Sequence, residues 1–208
     1  MTRLLTLCIA LVTLAPAAVA TSPAVGDSPH GFPGQVAPDF TATDITGATF
    51  SLAEHKGKPV VLEWTNPDCP FVKKHYDTGN MQTIQAKASE MGAVWVSINS
   101  SAPGKQGALT AQEAQAWVAG QGAAPTHYVL DPSGDLGRLY GAKVTPHIFV
   151  VDKDGVLAYA GAIDDNDSSA PESVEGAGNY ALAALEDLSE GRAVETPETR
   201  AYGCSVKY

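Results

Sequence analysis

Pro59-Val60-Val61-Leu62-Glu63-Trp64-Thr65-Asn66-Pro67-Asp68-Cys69-Pro70-Phe71-Val72 is the stretch on which the fold turns. Residues 59–64 form a near-continuous run of β-branched and large apolar side chains, the pattern of a strand covered on both faces and therefore central in its sheet. A short polar loop follows. Pro70 then suits a first helical position, where a missing N–H costs nothing, and helical spacing runs through Phe71, His75, Met81, Ile84 and Ala88 toward Gly92. A single cysteine, Cys69, stands at the junction of strand and helix.

Working outward, the spacing predicts a hairpin over 40–52 before this strand and a second buried strand over 93–98 after the helix. Thr110 with Glu113 makes a capping box for a helix through Trp117 to Gly120. A strand over 126–130, a short helix ending at Gly141, and a strand over 147–152 follow. Asp154-Gly155 turns that strand into a hairpin with 156–160, and a last helix spans 179–188. The acidic, Ser-rich stretch 164–175 has no apolar period and reads as a loop. Alternating strands and helices followed by a hairpin imply an α/β fold: a mixed central sheet with helices on both faces.

The first twenty residues stand apart. Arg3, the apolar run Leu4 to Leu14, and Ala18-Val19-Ala20 have the form of an export signal, with Cys8 leaving in it. The expected organisation is a signal over 1–20, a flexible leader over 21–36, one domain over 37–191, and an irregular tail over 192–208 that carries Cys204. The expected location is periplasmic or extracellular, with no membrane attachment after cleavage. A chain of 208 residues with a net charge of −10 repels polyanions, which excludes nucleic acid as a partner. Three cysteines are too few for a disulfide scaffold or a zinc ribbon, and no cofactor or metal is expected.

The order of elements resembles the thioredoxin-like superfamily, and within it the redoxin group of alkyl hydroperoxide reductases and thiol-specific antioxidant proteins. The features that carry the resemblance are Ala37-Pro38-Asp39-Phe40, the strand over 60–64, Cys69 at a helix start, Thr145-Pro146 before the next sheet strand, and Asp152-Lys153-Asp154-Gly155. The resemblance implies a cis Thr145-Pro146 bond facing Cys69. It also implies a peroxide or protein disulfide as substrate and a thiol reductant as partner. The sequence departs from the patterns of its relatives. Cys69-Pro70-Phe71-Val72 has Val72 where C-x-x-C has its second thiol. Leu62 and Asn66 stand where P-x-x-x-T-x-x-C has Pro and Thr. The C-x-x-x-C of copper-delivery relatives is absent, although His75 and His147 remain as candidate ligands.

Cys69 at a helix N-terminus, with Lys73 and Lys74 one turn on, has the surroundings of a thiolate nucleophile; the alternative is a structural thiol left behind by the loss of a partner. Cys204, freed by Gly203, is either a resolving thiol for Cys69 or one end of a permanent disulfide that pins the tail. Glu63 is either a buried acid or base for thiol chemistry, or a strand-end carboxylate that reaches water or pairs with Lys73. Two functions follow: an exported thiol oxidoreductase with Cys69 attacking and Cys204 resolving, or a non-catalytic thioredoxin-like binding module with a structural disulfide or a Cys/His metal site.

Overall fold

The computed structural model describes residues 31–208. The expected signal over 1–20 and most of the leader lie outside the described residues. The hairpin is β1 (Thr41–Thr43) and β2 (Thr49–Ser51), closed by a 3-10 turn over Leu52–His55. Then come β3 (Val60–Trp64), α1 (Pro70–Asp77), α2 (Asn80–Glu90), β4 (Val94–Asn99), α3 (Ala111–Gln121), β5 (His127–Leu130), and α4 (Asp135–Tyr140). The chain ends through β6 (Val144–Thr145), β7 (His147–Val151), β8 (Leu157–Gly161), α5 (Tyr180–Ser189), and β9 (Cys204–Ser205).

Five strands form the central sheet in the order β5-β4-β3-β7-β8, with β3, β4 and β5 parallel and β7 and β8 antiparallel additions. This is the mixed sheet of a thioredoxin-like α/β fold. Its middle strand is β3, buried at every position, as its unbroken apolar run requires. Val61, Trp95, Ile148 and Val150 on one face pack against Val72 and Tyr76 of α1, Met81, Ile84 and Ala88 of α2, and Ala181, Ala184 and Leu185 of α5. Leu62, Trp64, Val96, Ile98 and Phe149 on the other face meet Phe40 and Phe50 of the hairpin and Tyr140 of α4. That face therefore has one short helix and a hairpin as its cover. The side-chain alternation of β3 between the two cores leaves the loop after Trp64, and so Cys69, at the end of the sheet.

Three features differ from the sequence reading. The helix expected over 70–92 is two helices, because Gly79 takes φ +76° between them and restarts the chain as the N-cap of α2. Residues 34–36, assigned to the leader, are tied to β8: Gly34 N–H donates to Leu157 O at 2.8 Å, and Leu157 N–H to Gln35 O at 2.8 Å. The tail is no loose appendage. Thr199 fills the space beside Gly161, where any Cβ would overlap its hydroxyl. Farther on, β9 pairs with β6, aligning Thr145 with Cys204.

Candidate active site

Cys69 is the N-cap of α1, with extended backbone (φ −76°, ψ 123°) and Pro70 in the first turn. The loop before it is shaped by Asn66. Its Oδ1 accepts from Asp68 N–H at 2.9 Å, and its Nδ2 donates to Gln106 O at 3.1 Å. Gly107 N–H donates to Asp68 Oδ2 at 3.0 Å, so the loop over 101–107 braces the turn that presents the thiol. Cys69 is fully buried, and its thiol donates to Thr145 O at 3.1 Å. The Thr145-Pro146 peptide is cis, and Thr145 itself is buried with its hydroxyl unpartnered. Cys69, Thr145 and Pro146 thus meet as expected.

Cys204 arrives from the other end of the chain, 135 positions later. Its strand lies antiparallel to Val144–Thr145, the carbonyl of Thr145 holds Cys69, and both cysteines are free thiols. Burial pushes the Cys204 thiol up to about 11, with the adjacent Cys69 adding to the rise and Lys207 opposing it. Gly203 makes this approach possible. Its φ is +135°, and a Cβ there would overlap the Thr145 carbonyl oxygen. Beyond Cys204, Val206 N–H donates to Lys143 O at 3.0 Å, Ala102 N–H to Lys207 O at 2.8 Å, and Tyr208 OH to Ala142 O at 2.7 Å.

The remaining expected residues are placed differently. Lys73 is exposed on α1, whereas its neighbour Lys74 is fully buried. Glu63 neither reaches water nor pairs with Lys73: it is completely buried, and its Oε2 accepts from Trp95 Nε1 at 2.9 Å and Ser97 Oγ at 2.8 Å. Tyr76 OH lies 2.9 Å from both carboxylate oxygens. Burial pushes the Glu63 carboxyl above its usual range, against the pull of these donors.

His75 and His147, the candidate ligands, lie in separate surroundings. Burial, with Lys74 nearby, pushes His75 down to about 3; burial, with Lys143, pushes His147 down to about 4, so both rings are neutral at pH 7. His75 bonds Asn80, and His147 packs on Phe149 with ring centroids 4.4 Å apart. Among the described residues, no group of three or more His, Cys, Asp or Glu side chains is placed to hold a metal ion.

Sequence reasoning missed a buried polar cluster beside the thiols. Tyr202 OH donates to Asp164 Oδ1, and Lys74 Nζ donates to Tyr202 OH at 3.2 Å and to Asn166 O at 2.8 Å. His75 Nε2 lies 3.4 Å from the same phenol oxygen. The available signal was Tyr202 itself, two positions before Cys204; its partner Asp164 sits in the loop that shows no periodicity.

Comparison with known proteins agrees with this fold. The model of the AhpC/TSA family matches residues 33–160. Methylamine utilization protein MauD of Methylobacillus flagellatus is 28% identical over 130 residues, which cover 62% of this chain and 56% of that protein. The chain thus matches little more than half the length of that relative. A hypothetical protein from Sinorhizobium meliloti 1021 superposes with a TM-score of 0.72 at 27% identity, covering 84% of this chain and 93% of that one. A putative thiol:disulfide interchange protein DsbE from Chlorobium tepidum superposes with a TM-score of 0.52 at 27% identity, covering 62% of this chain and 84% of that one.

Proposed function

The chain belongs to the AhpC/TSA family, and from that premise we propose that it is an exported thiol oxidoreductase in which Cys69 attacks a disulfide and Cys204 resolves the product. The observation that carries the proposal is the convergence of the two cysteines on Thr145: Cys69 donates to its carbonyl oxygen, and Cys204 is strand-paired with it.

In the first step the Cys69 thiolate attacks one sulfur of the substrate, forming a Cys69 mixed disulfide and releasing the other sulfur as a thiolate. In the second, Cys204, having lost its proton, attacks Cys69 Sγ. The Cys69–Cys204 bond forms and the bound half of the substrate leaves as a thiol. The substrate gains two electrons, the protein loses two, and an external dithiol reductant restores both thiols. The high position of Cys204 supports the second role, since only a small fraction of it is thiolate near neutral pH.

A disulfide is favoured over a peroxide by what surrounds Cys69. Both ends of the Asn66 amide are committed to the loop, and Leu62 is fully buried in the core, so neither orients a peroxide oxygen. Likeness to a putative thiol:disulfide interchange protein points the same way. Export rests on Arg3, the apolar run after it and Ala18-Val19-Ala20. Among the described residues, no helix is long and apolar enough to cross a membrane.

Rapid-mixing oxidation of the reduced protein, with a disulfide and separately with hydrogen peroxide, tests the proposal. Wild type and Cys204→Ser should both react with the disulfide, Cys204→Ser stopping at a mixed disulfide, while Cys69→Ser should not turn over. If neither oxidant reacts with Cys69 faster than with free cysteine at the same pH, the enzyme reading fails and the binding-module reading replaces it. N-terminal sequencing of secreted protein should begin at Thr21; an intact Met1 in the membrane fraction would refute export.

A further inference from the structure

The phenol of Tyr202 is fully used. Asn80 Nδ2 donates to His75 Nδ1 at 2.8 Å, so the ring proton sits on Nε2 and points at the phenol oxygen 3.4 Å away. Lys74 Nζ donates to the same oxygen at 3.2 Å, and the phenol proton goes to Asp164. Two donors and one acceptor satisfy all that a hydroxyl can make. The partners are costly: Lys74 and His75 are fully buried, Asp164 is 2% exposed, and Asp164 Oδ2 lies 3.6 Å from Lys74 Nζ. The Tyr202 ring packs on Phe71, at 5.7 Å between centroids, and the Lys74 ammonium lies 5.2 Å from the Tyr202 ring centroid. All three partners come from outside the tail, two from α1, the helix that Cys69 caps, and one from the loop after β8.

One residue separates this anchor from Cys204. Gly203 lies directly on the Thr145 carbonyl, the same oxygen that receives the Cys69 thiol. A displacement of Tyr202 is therefore passed on to Cys204 with little slack. On the far side the strand is held by Val206 and by Tyr208, so Cys204 sits between two fixed points.

We propose that Tyr202, gripped by Lys74, His75 and Asp164, is the positioning residue of the resolving thiol, setting how fast Cys204 closes on Cys69 without touching substrate. This rests on the two-thiol reading given above. Its chemistry is that of the second step: Cys204 Sγ loses its proton to solvent, bonds Cys69 Sγ, and expels the thiol held there.

The two steps separate with 5,5′-dithiobis(2-nitrobenzoate), whose released thiolate is coloured. The reduced protein releases one thiolate in a bimolecular phase, when a protein thiol takes up the aromatic group, and a second in a unimolecular phase, when the protein disulfide closes. Tyr202→Phe keeps the ring packed on Phe71 and removes only the hydroxyl. The first phase should stay within about twofold of wild type and the second should slow by about tenfold or more, because the effective concentration of Cys204 falls. Ser205→Ala, on the exposed side of the same strand, should alter neither phase. Equal closure rates in Tyr202→Phe and wild type would overturn the positioning role and leave the two-thiol reading intact. So would equal slowing of both phases, which marks general loosening. If wild type ends with two aromatic adducts and no protein disulfide, the two-thiol reading itself fails, and the proposal with it.

Discussion

Replacing Tyr76 with phenylalanine removes one oxygen from the interior and leaves the ring where it packs, 4.6 Å between centroids from Trp117. The lost hydroxyl is the donor to Glu63 Oε1; Trp95 and Ser97 both bind Oε2. No water reaches the carboxyl to take its place, since Glu63 is completely buried. A hydrogen bond to an ionised buried group contributes about 1.5–3 kcal/mol, and one to a neutral group about 1 kcal/mol. The size of the loss therefore depends on pH.

Burial raises the folded-state pKa of Glu63 above its unfolded value, so its contribution is most favourable below the ordinary carboxylate range and declines as pH rises through the folded value. Removing a donor that favours the ionised form raises the folded pKa further and deepens that decline. Urea unfolding of reduced Tyr76→Phe should show a loss of about 1 kcal/mol in acid, growing to about 1.5–3 kcal/mol once pH has passed the raised titration of Glu63. Equal losses across the range, or a loss under about 0.5 kcal/mol at high pH, would refute a sealed carboxylate held by this phenol.

Two further outcomes test the tail. Gly203→Ala puts a side chain into the Thr145 carbonyl at φ +135°, a strain of about 1–3 kcal/mol that is met most easily by releasing β9. Hydrogen exchange should then show the Val206 and Ala102 amides losing protection while β3 keeps its own; unchanged protection at Val206 would refute the tight approach. Because burial and the neighbouring Cys69 push Cys204 up to about 11, alkylation of Cys204 by iodoacetamide at pH 8 should be slower than that of free cysteine and should keep rising beyond pH 10. A plateau near pH 8 would refute that position.

Much of the fold was legible because it follows from local chemistry. The β3 run has to be covered on both faces, the capping box opens α3 where Thr110 and Glu113 place it, and Asp154-Gly155 turns β7 into β8. Cys69 could be picked out for the same reason, whereas Thr145-Pro146 was marked by the family resemblance. What escaped depends on distant partners. Lys73 and Lys74 look alike in sequence, yet Lys74 is buried because Asp164 and Tyr202 come to meet it from 90 and 128 positions away. The break at Gly79 is hidden because the apolar residues of α1 and α2 continue on one face across it. The two residues of β9 have no pattern of their own; Thr145 supplies their pairing.

The pairing of β9 with β6 also decides what an oxidised molecule would be topologically. Joining Cys69 to Cys204 makes one covalent ring of 136 residues that takes in the helices α1 to α5 and the strands β4 to β8. Chain-entropy reasoning gives such a closure about 5 kcal/mol of advantage over the open chain, all of it by restricting the unfolded state. The hairpin and β3 stay outside the ring, joined to it by the chain over 65–68 and held against it by hydrogen bonds and packing. Resistance to heat then becomes a record of electron count: each two-electron transfer would switch the domain between a linear polymer and a loop.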